Sequence, residues 1–195
     1  WPASPLPQAG MGAALAQDGD PRGALSYFAR AMQRGATQSM IGADRGLAYD
    51  LLGQHAQAQA DYRTALLGRE GGGARGPHAM SLAIRGKKAE ALATLSMHMA
   101  RGDAAGARCR AFVLALTGDA AGARSAIEAA MPGSSRQMDY FFRKLPSLRS
   151  DQKVAAVNLG VFPGSGTSGA AAPSPFSGIN PVQVVPRNPT PPPDR

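Results

Sequence analysis

Apolar and small side chains recur along residues 1–163 at the three- and four-residue intervals of α-helices. Glycines interrupt this pattern at nearly constant distances, because Gly19, Gly53, Gly86 and Gly118 are separated by 34, 33 and 32 residues. Each of them lies between an apolar stretch and a second, alanine-rich stretch. A glycine in left-handed backbone angles ends a helix without steric cost. The pattern therefore predicts helical hairpins, each turning at one of these glycines.

Each of the four predicted hairpins has a small residue and a large residue at the same distances from its turn glycine. Seven residues before each glycine the side chain is small, at Gly12, Gly46, Ala79 and Ala111. Nine residues after each glycine it is large, at Phe28, Tyr62, Leu95 and Ile127. A small residue lets two helices approach, and a large residue on the partner helix fills the space between them. One hairpin cannot bury its own apolar face, so we expect the hairpins to stack.

The second hairpin resembles the tetratricopeptide repeat family in residue type and spacing. The matching positions are Gly46, Tyr49, Gly53, Ala58, Tyr62, Ala65 and Leu66. The resemblance extends over roughly residues 6–135. It implies an all-α fold in which about four hairpins form an α-α superhelix. The repeats are expected at 5–36, 39–70, 72–102 and 104–135.

Four positions depart from the family pattern. Arg45, His78 and Arg110 stand where the family usually has leucine, and His98 replaces a small residue. A glycine-rich run also precedes Pro77, so the first helix of the third repeat is expected to begin late, near that proline. The resemblance therefore implies an irregular junction between repeats two and three.

Residues 136–163 are predicted to form a helical cap over the open end of the stack. One short helix is expected from 137 to 144, and a second from the N-cap Ser150 to Leu159, closed by Gly160. Residues 164–195 have a different composition, with half of the 16 prolines of the chain and a Gly/Ser-rich start. Such a segment buries little apolar surface, which predicts a disordered or extended tail.

The resemblance also implies where a partner binds, because the first helices of the family's repeats line a concave face. The corresponding residues here are Leu47, Asp50, Leu51, Met80, Ile84, Arg108, Phe112 and Leu116. This face is mostly apolar, which favours a groove for an apolar or amphipathic helix or an extended apolar segment. Two alternatives stay open: the same residues belong to the core, or the cap helix with Val154, Val157 and Leu159 fills the groove.

The net charge and the reactive side chains indicate which functional classes are favoured for this chain. The formal net charge of +8 permits contact with nucleic acid, anionic lipid or an acidic protein. The densest basic group, Arg75, Arg85, Lys87 and Lys88, has no interleaved aromatic residues, so nucleic acid is not favoured. His55, His78 and His98 lack metal-ligand spacing, and Cys109 is interpreted as a buried, inert thiol. No catalytic residue, metal or cofactor is predicted, and an enzyme is the least favoured class.

The sequence therefore predicts a non-enzymatic scaffold that binds another protein or peptide. Its alanine-, glycine- and arginine-rich composition resembles proteins of GC-rich bacteria, and a repeat domain with a proline-rich tail is similar to envelope proteins such as tight-adherence pilus assembly lipoproteins. An envelope or periplasmic location is thus expected over a cytoplasmic one. No signal peptide or transmembrane stretch is recognisable, and processing before Trp1 stays open. The alternatives are a structural subunit that self-assembles and a basic module for nucleic acid or anionic membrane.

Overall fold

The computed structural model of the chain describes residues 4–68, 71–96 and 104–163. These residues are helical, without a strand, which confirms the all-α prediction. The first four helices are α1 (Leu6–Gln17), α2 (Pro21–Gln33), α3 (Gln38–Leu51) and α4 (His55–Leu66). They are followed by α5 (Arg75–Ile84), α6 (Lys88–Ser96), α7 (Ala104–Leu116), α8 (Ala120–Ala130), α9 (Ser135–Lys144) and α10 (Ser150–Leu159). Short 3-10 helices lie at Gly71–Ala74 and Leu145–Ser147.

Four of the turns between helices are made by the recurrent glycines. Gly19, Gly53, Gly86 and Gly118 have φ angles of 81°, 74°, 77° and 88°. These values lie in the left-handed region that glycine adopts without a Cβ clash, so the sequence-based prediction for these positions is confirmed. The chain reverses at each of them, and α1 packs with α2, α3 with α4, α5 with α6, and α7 with α8.

Close approach of the paired helices depends on the small residues of the first helix. A methyl group added at Gly46 would lie 2.5 Å from Cε1 of Tyr62, and one added at Gly12 would lie 2.7 Å from Cε1 of Phe28. Tyr62 and Phe28 are each 1% exposed. The aromatic ring of the second helix thus occupies the space that a larger residue on the first helix would need.

Consecutive hairpins pack on one another in chain order. α1 and α2 contact α3, α4 contacts α5, and both α5 and α6 contact α7. α9 continues this order, because it packs against α7 and α8. This stack is compatible with the superhelix that the resemblance implies, and its curvature stays a prediction.

Three helix starts differ from the sequence-based prediction, and one of them is that of α9, which begins at Ser135 rather than at residue 137. α5 begins at Arg75 rather than near Pro77, because the 3-10 turn Gly71–Ala74 leads directly into it. In α10, Arg149 takes the N-cap position that was predicted for Ser150, and its backbone N–H donates to the side chain of Gln152 at 3.0 Å. The predicted end of α10 is confirmed, since Gly160 follows Leu159 with a φ of 69°. His98 and the predicted tail 164–195 lie outside the described residues.

Candidate partner-binding face

The eight residues that were predicted to bind a partner lie on α3, α5 and α7, the first helices of the second, third and fourth hairpins. Met80, Ile84, Phe112 and Leu116 belong to one cluster of buried side chains, and Leu51 packs against it. We call these five residues the first-helix face. Leu47 packs instead against a second cluster, built mainly from α1, α2 and α3, and Asp50 and Arg108 have separate environments. The structure therefore brings five of the eight residues together.

Helix α10 covers the first-helix face. It packs against α3 and α5, while the 3-10 turn before it packs against α7. Val154 and Val157 are 0% exposed and belong to the same cluster as Met80 and Phe112, which are 1% and 3% exposed. Burial of the two valines contributes about 1.5–3 kcal/mol for each side chain. The expectation of an open groove is therefore corrected. Met80, Ile84, Phe112 and Leu116 belong to the core, as the first alternative has it, and the cap helix lies on α3 and α5, as the second has it.

The end of α10 reaches both ends of the stack. A methyl group added at Gly19, in the turn of the first hairpin, would lie 3.3 Å from Cδ1 of Leu159. Three residues later, the Phe162 ring packs against Phe141 of α9, with 4.8 Å between ring centroids. The segment 159–162 thus joins the turn of the first hairpin to α9, the helix that follows the fourth hairpin.

Asp50 does not line an open groove, because its carboxylate is buried between three helices. It accepts hydrogen bonds from the Tyr62 hydroxyl at 3.1 Å and from the Ser81 hydroxyl at 3.1 Å. Nδ1 of His55 lies 2.7 Å from Oδ1 of the same carboxylate. Burial, followed by the charge and hydrogen bond of Asp50, holds the pKa of Tyr62 well above its usual value. The network links α3 and α4 to α5 and so ties the second hairpin to the third.

The Ser, His and Asp side chains of this network are not arranged as a hydrolytic triad. In a Ser-His-Asp triad the imidazole lies between the carboxylate and the hydroxyl and takes the proton of the nucleophile. Here Nδ1 of His55 and the hydroxyl of Ser81 both contact the carboxylate of Asp50, and Ser81 is 0% exposed. The arrangement satisfies a buried charge and leaves no hydroxyl directed at a substrate. Sequence reasoning missed Ser81 and His55, although Asp50 on an apolar helix face was a signal that polar partners were needed.

His78 and Arg108 each carry a buried nitrogen without a hydrogen-bond partner among the described residues, at Nδ1 and Nε. Burial lowers the pKa of His78, and the charge of Arg63 lowers it further. The His78 ring lies 6.0 Å from that of Tyr62, in a position where the family usually has leucine. Cys109, next to Arg108, is 4% exposed, as expected for a buried thiol.

The charges and the potential metal ligands of the described residues bear on the other functional classes. In the densest basic group, Lys87 pairs with Glu90 at 3.1 Å and Lys88 pairs with Asp119 at 3.1 Å, so part of its charge is neutralised. Over residues 4–68, 71–96 and 104–163, no three His, Cys, Asp or Glu side chains lie together as metal ligands would. In the same ranges no helix combines the length and apolar character needed to cross a bilayer.

Comparisons with protein-family models, with curated proteins and with solved structures found no match. The resemblance to tetratricopeptide repeats therefore stays a prediction that rests on the residues themselves, on the four glycine turns and on the stacked hairpins.

Proposed function

We propose that this chain is a non-enzymatic scaffold that binds a partner polypeptide through its first-helix face. The observation that carries the proposal is the seating of α10: a short helix already packs against α3 and α5 and buries Val154 and Val157 in the same apolar cluster as Met80 and Phe112. A surface that accommodates one helix through apolar contacts has the shape and chemistry for a helix from another chain. The buried Asp50 network supports the proposal by giving Ser81 and His55 a structural role.

The test compares native-extract crosslinking of the wild-type chain with two variants of one substitution type. Leu51→Asp places a charge on the partly buried rim of the first-helix face, whereas Leu67→Asp changes a side chain that is 89% exposed at the end of α4. We expect Leu51→Asp to lose crosslinked partners and Leu67→Asp to keep them, with circular dichroism showing that both variants are folded. Phe112→Asp is unsuitable, since Phe112 is 3% exposed and its ring packs edge-on against Phe142 at 5.7 Å. Partners that persist in Leu51→Asp would refute binding through this face.

Within this proposal we also place the chain in a bacterial envelope or secretion assembly. Its support is compositional, and it comes from the similarity of a repeat domain with a proline-rich tail to such proteins. Cell fractionation with an antibody against the chain is the direct test. Recovery in the envelope fraction, together with a secretion or pilus component, is the expected result, and recovery with cytoplasmic proteins alone would contradict it.

A second candidate function, self-assembly through the repeats, is favoured by the outer side of α1. Leu6 and Met11 are 55% and 47% exposed, and α1 carries no charged residue between Leu6 and Gln17. The first repeat of a solenoid ordinarily needs a polar outer face to stay monomeric. Light scattering over a range of concentrations, with Met11→Glu as the variant, tests this candidate. A monomer at every concentration would exclude it.

A further inference from the structure

We propose that α10 occupies the first-helix face in the free chain and that the partner is a helix that replaces it. The partner helix carries β-branched residues at the spacing of Val154 and Val157, and a leucine two residues after the second of them. This inference rests on the proposed function and names the partner class and the regulation of the same face. The partner's helix and α10 compete for the apolar side chains of α3 and α5, so the chain binds only when α10 has left.

α10 makes apolar contacts with the hairpins and two side-chain polar contacts within its own segment. Val154 and Val157 are buried in the cluster of the first-helix face. The Arg149 side chain pairs with Asp151 at 2.8 Å, and the Asn158 side chain donates to the backbone oxygen of Val154 at 2.9 Å. Those polar bonds would move together with the helix. On the side of Val154 and Val157, an incoming helix would therefore replace one buried apolar surface with another.

Non-helical backbone bounds α10 at both ends. Leu148 and Arg149 are extended, with ψ angles of 152° and 161°, and they follow a 3-10 turn that contains Pro146. Gly160 has a φ of 69° at the other end. Leu145, before the extended residues, is 0% exposed and remains a fixed point in the core. These two breaks let the ten-residue helix leave as one unit while α9 keeps its place in the stack.

The incoming helix must match the register that α10 shows. Val154 and Val157 are three residues apart and so lie on one side of the helix, and Leu159 follows towards Gly19. At its first turn, Ser150 shares a shallow surface depression with His55, Ile84 and Arg85. The face therefore has polar side chains where α10 begins and apolar contact along its length, which sets the direction in which a partner helix binds.

The experiment uses the full chain and a fluorescent peptide of residues 149–162 as the probe. Val157→Asp weakens the resident helix, and Val161→Asp is the matched control, since Val161 is 57% exposed. Fluorescence anisotropy is expected to show at least tenfold tighter peptide binding to Val157→Asp than to the wild type or to Val161→Asp. A peptide carrying both Val154→Asp and Val157→Asp is expected not to bind. Equal binding to all three chains, or no binding to any, would overturn the proposal.

Hydrogen exchange of the wild-type chain keeps the proposal testable if Val157→Asp does not fold. The amides of α10 are expected to exchange at least tenfold faster than those of α3 and α7, because α10 opens by itself. If the amides of α10 exchange only together with those of α3 and α7, the proposal is overturned. It is also overturned if the chain forms domain-swapped dimers, in which each copy binds the α10 of the other, and the added peptide does not bind. The proposed function fails on a different result, namely crosslinking to partners that is unchanged in the Leu51→Asp variant. Partners that depend on Leu51 while α10 stays in place would refute only this inference.

Discussion

Arg45 of α3 and Asp61 of α4 form a two-pronged ion pair inside the second hairpin. Nε of Arg45 donates to Oδ2 of Asp61 at 2.6 Å, and Nη2 donates to Oδ1 at 2.7 Å. The side chains are only 13% and 3% exposed, and Gln38 donates a further hydrogen bond to Oδ1 at 3.1 Å. The arginine that departs from the family pattern thus has a partner on the facing helix, and its guanidinium matches the carboxylate in shape.

Loss of Arg45 alone is expected to be costly, because it leaves the buried Asp61 carboxylate with Gln38 as its remaining side-chain donor. Arg45→Leu should lower the free energy of unfolding by about 3–5 kcal/mol. The double variant Arg45→Leu with Asp61→Leu removes both charges and should recover most of that loss. Urea denaturation of the two variants and the wild type measures the difference. A double variant no more stable than Arg45→Leu would show that the ion pair itself, rather than relief of an unpaired charge, holds the helices together.

Two glycines on α1 should respond to alanine in opposite directions. A methyl group at Gly12 would meet the Phe28 ring at 2.7 Å, so Gly12→Ala should destabilise the chain by about 1–3 kcal/mol through overpacking. Gly10 lies two residues earlier with no atom within 4 Å of an added methyl group. Gly10→Ala should stabilise the chain by about 0.5–1 kcal/mol, since alanine favours the helix. Thermal denaturation followed by circular dichroism gives both values, and a shift of the same sign for the pair would contradict the packing explanation.

His78 should make the chain less stable in mild acid. Its pKa is lowered in the folded chain, so the unfolded chain binds the proton more readily. The contribution of His78 to the free energy of unfolding is therefore fully present above about pH 6.5, the ordinary pKa of histidine. It is lost as the pH falls from there through the lower pKa that His78 has in the folded chain. His78→Leu should remove this part of the pH dependence. It should also add about 1 kcal/mol at pH 7, because it removes a buried ring nitrogen without a partner.

Urea denaturation between pH 7.5 and pH 5 tests this prediction, with His55→Gln as a comparison at the histidine that contacts Asp50. Wild-type and His78→Leu curves that run parallel over this range would show that His78 does not titrate differently on folding.

A missing helix cap in the second hairpin offers a stabilising substitution. Asp20 and Asp119 cap α2 and α8 by accepting from the backbone N–H of Gly23 at 2.9 Å and of Gly122 at 2.8 Å. Gln54 occupies the same place after its turn glycine, with similar backbone angles, and its side chain makes no cap bond to α4. Gln54→Asp should therefore raise the free energy of unfolding by about 1 kcal/mol. Gln57→Asp adds the same charge in the first turn without the cap geometry and should give only a few tenths of that gain, as measured by thermal denaturation.

The local features of the fold could be predicted from the sequence because each depends on residues close together in the chain. A glycine at a turn carries its own conformational preference, and a small residue seven positions before it pairs with a large residue nine positions after it within one hairpin. Gly53, Gly46 and Tyr62 show this directly, with a left-handed turn and a ring packed against a glycine. The helices of residues 135–159 were located for the same reason, with an error of one or two residues at their starts.

Less of the candidate site than of the fold could be predicted from the sequence. The helical stripe of Met80, Ile84, Phe112 and Leu116 was recognisable as apolar, but an apolar stripe has the same spacing whether it faces solvent, the core or another helix. Leu47 was assigned to this face and packs elsewhere, because its neighbours come from α1 and α2 rather than from α5. The polar partners Ser81 and Asp50 are 31 residues apart and meet only when the hairpins stack.

The sequence by itself determined the helices, their glycine turns and the pairing within each hairpin, since these depend on backbone preference and side-chain size over about 30 residues. Only the tertiary structure decided that α10 lies on the first-helix face, that Leu159 and Phe162 contact the first hairpin and α9, and that Arg45 meets Asp61. The physical reason is that apolar burial is non-directional: Val154 and Val157 are stabilised by any apolar surface, and the geometry of the whole stack selects which one they reach.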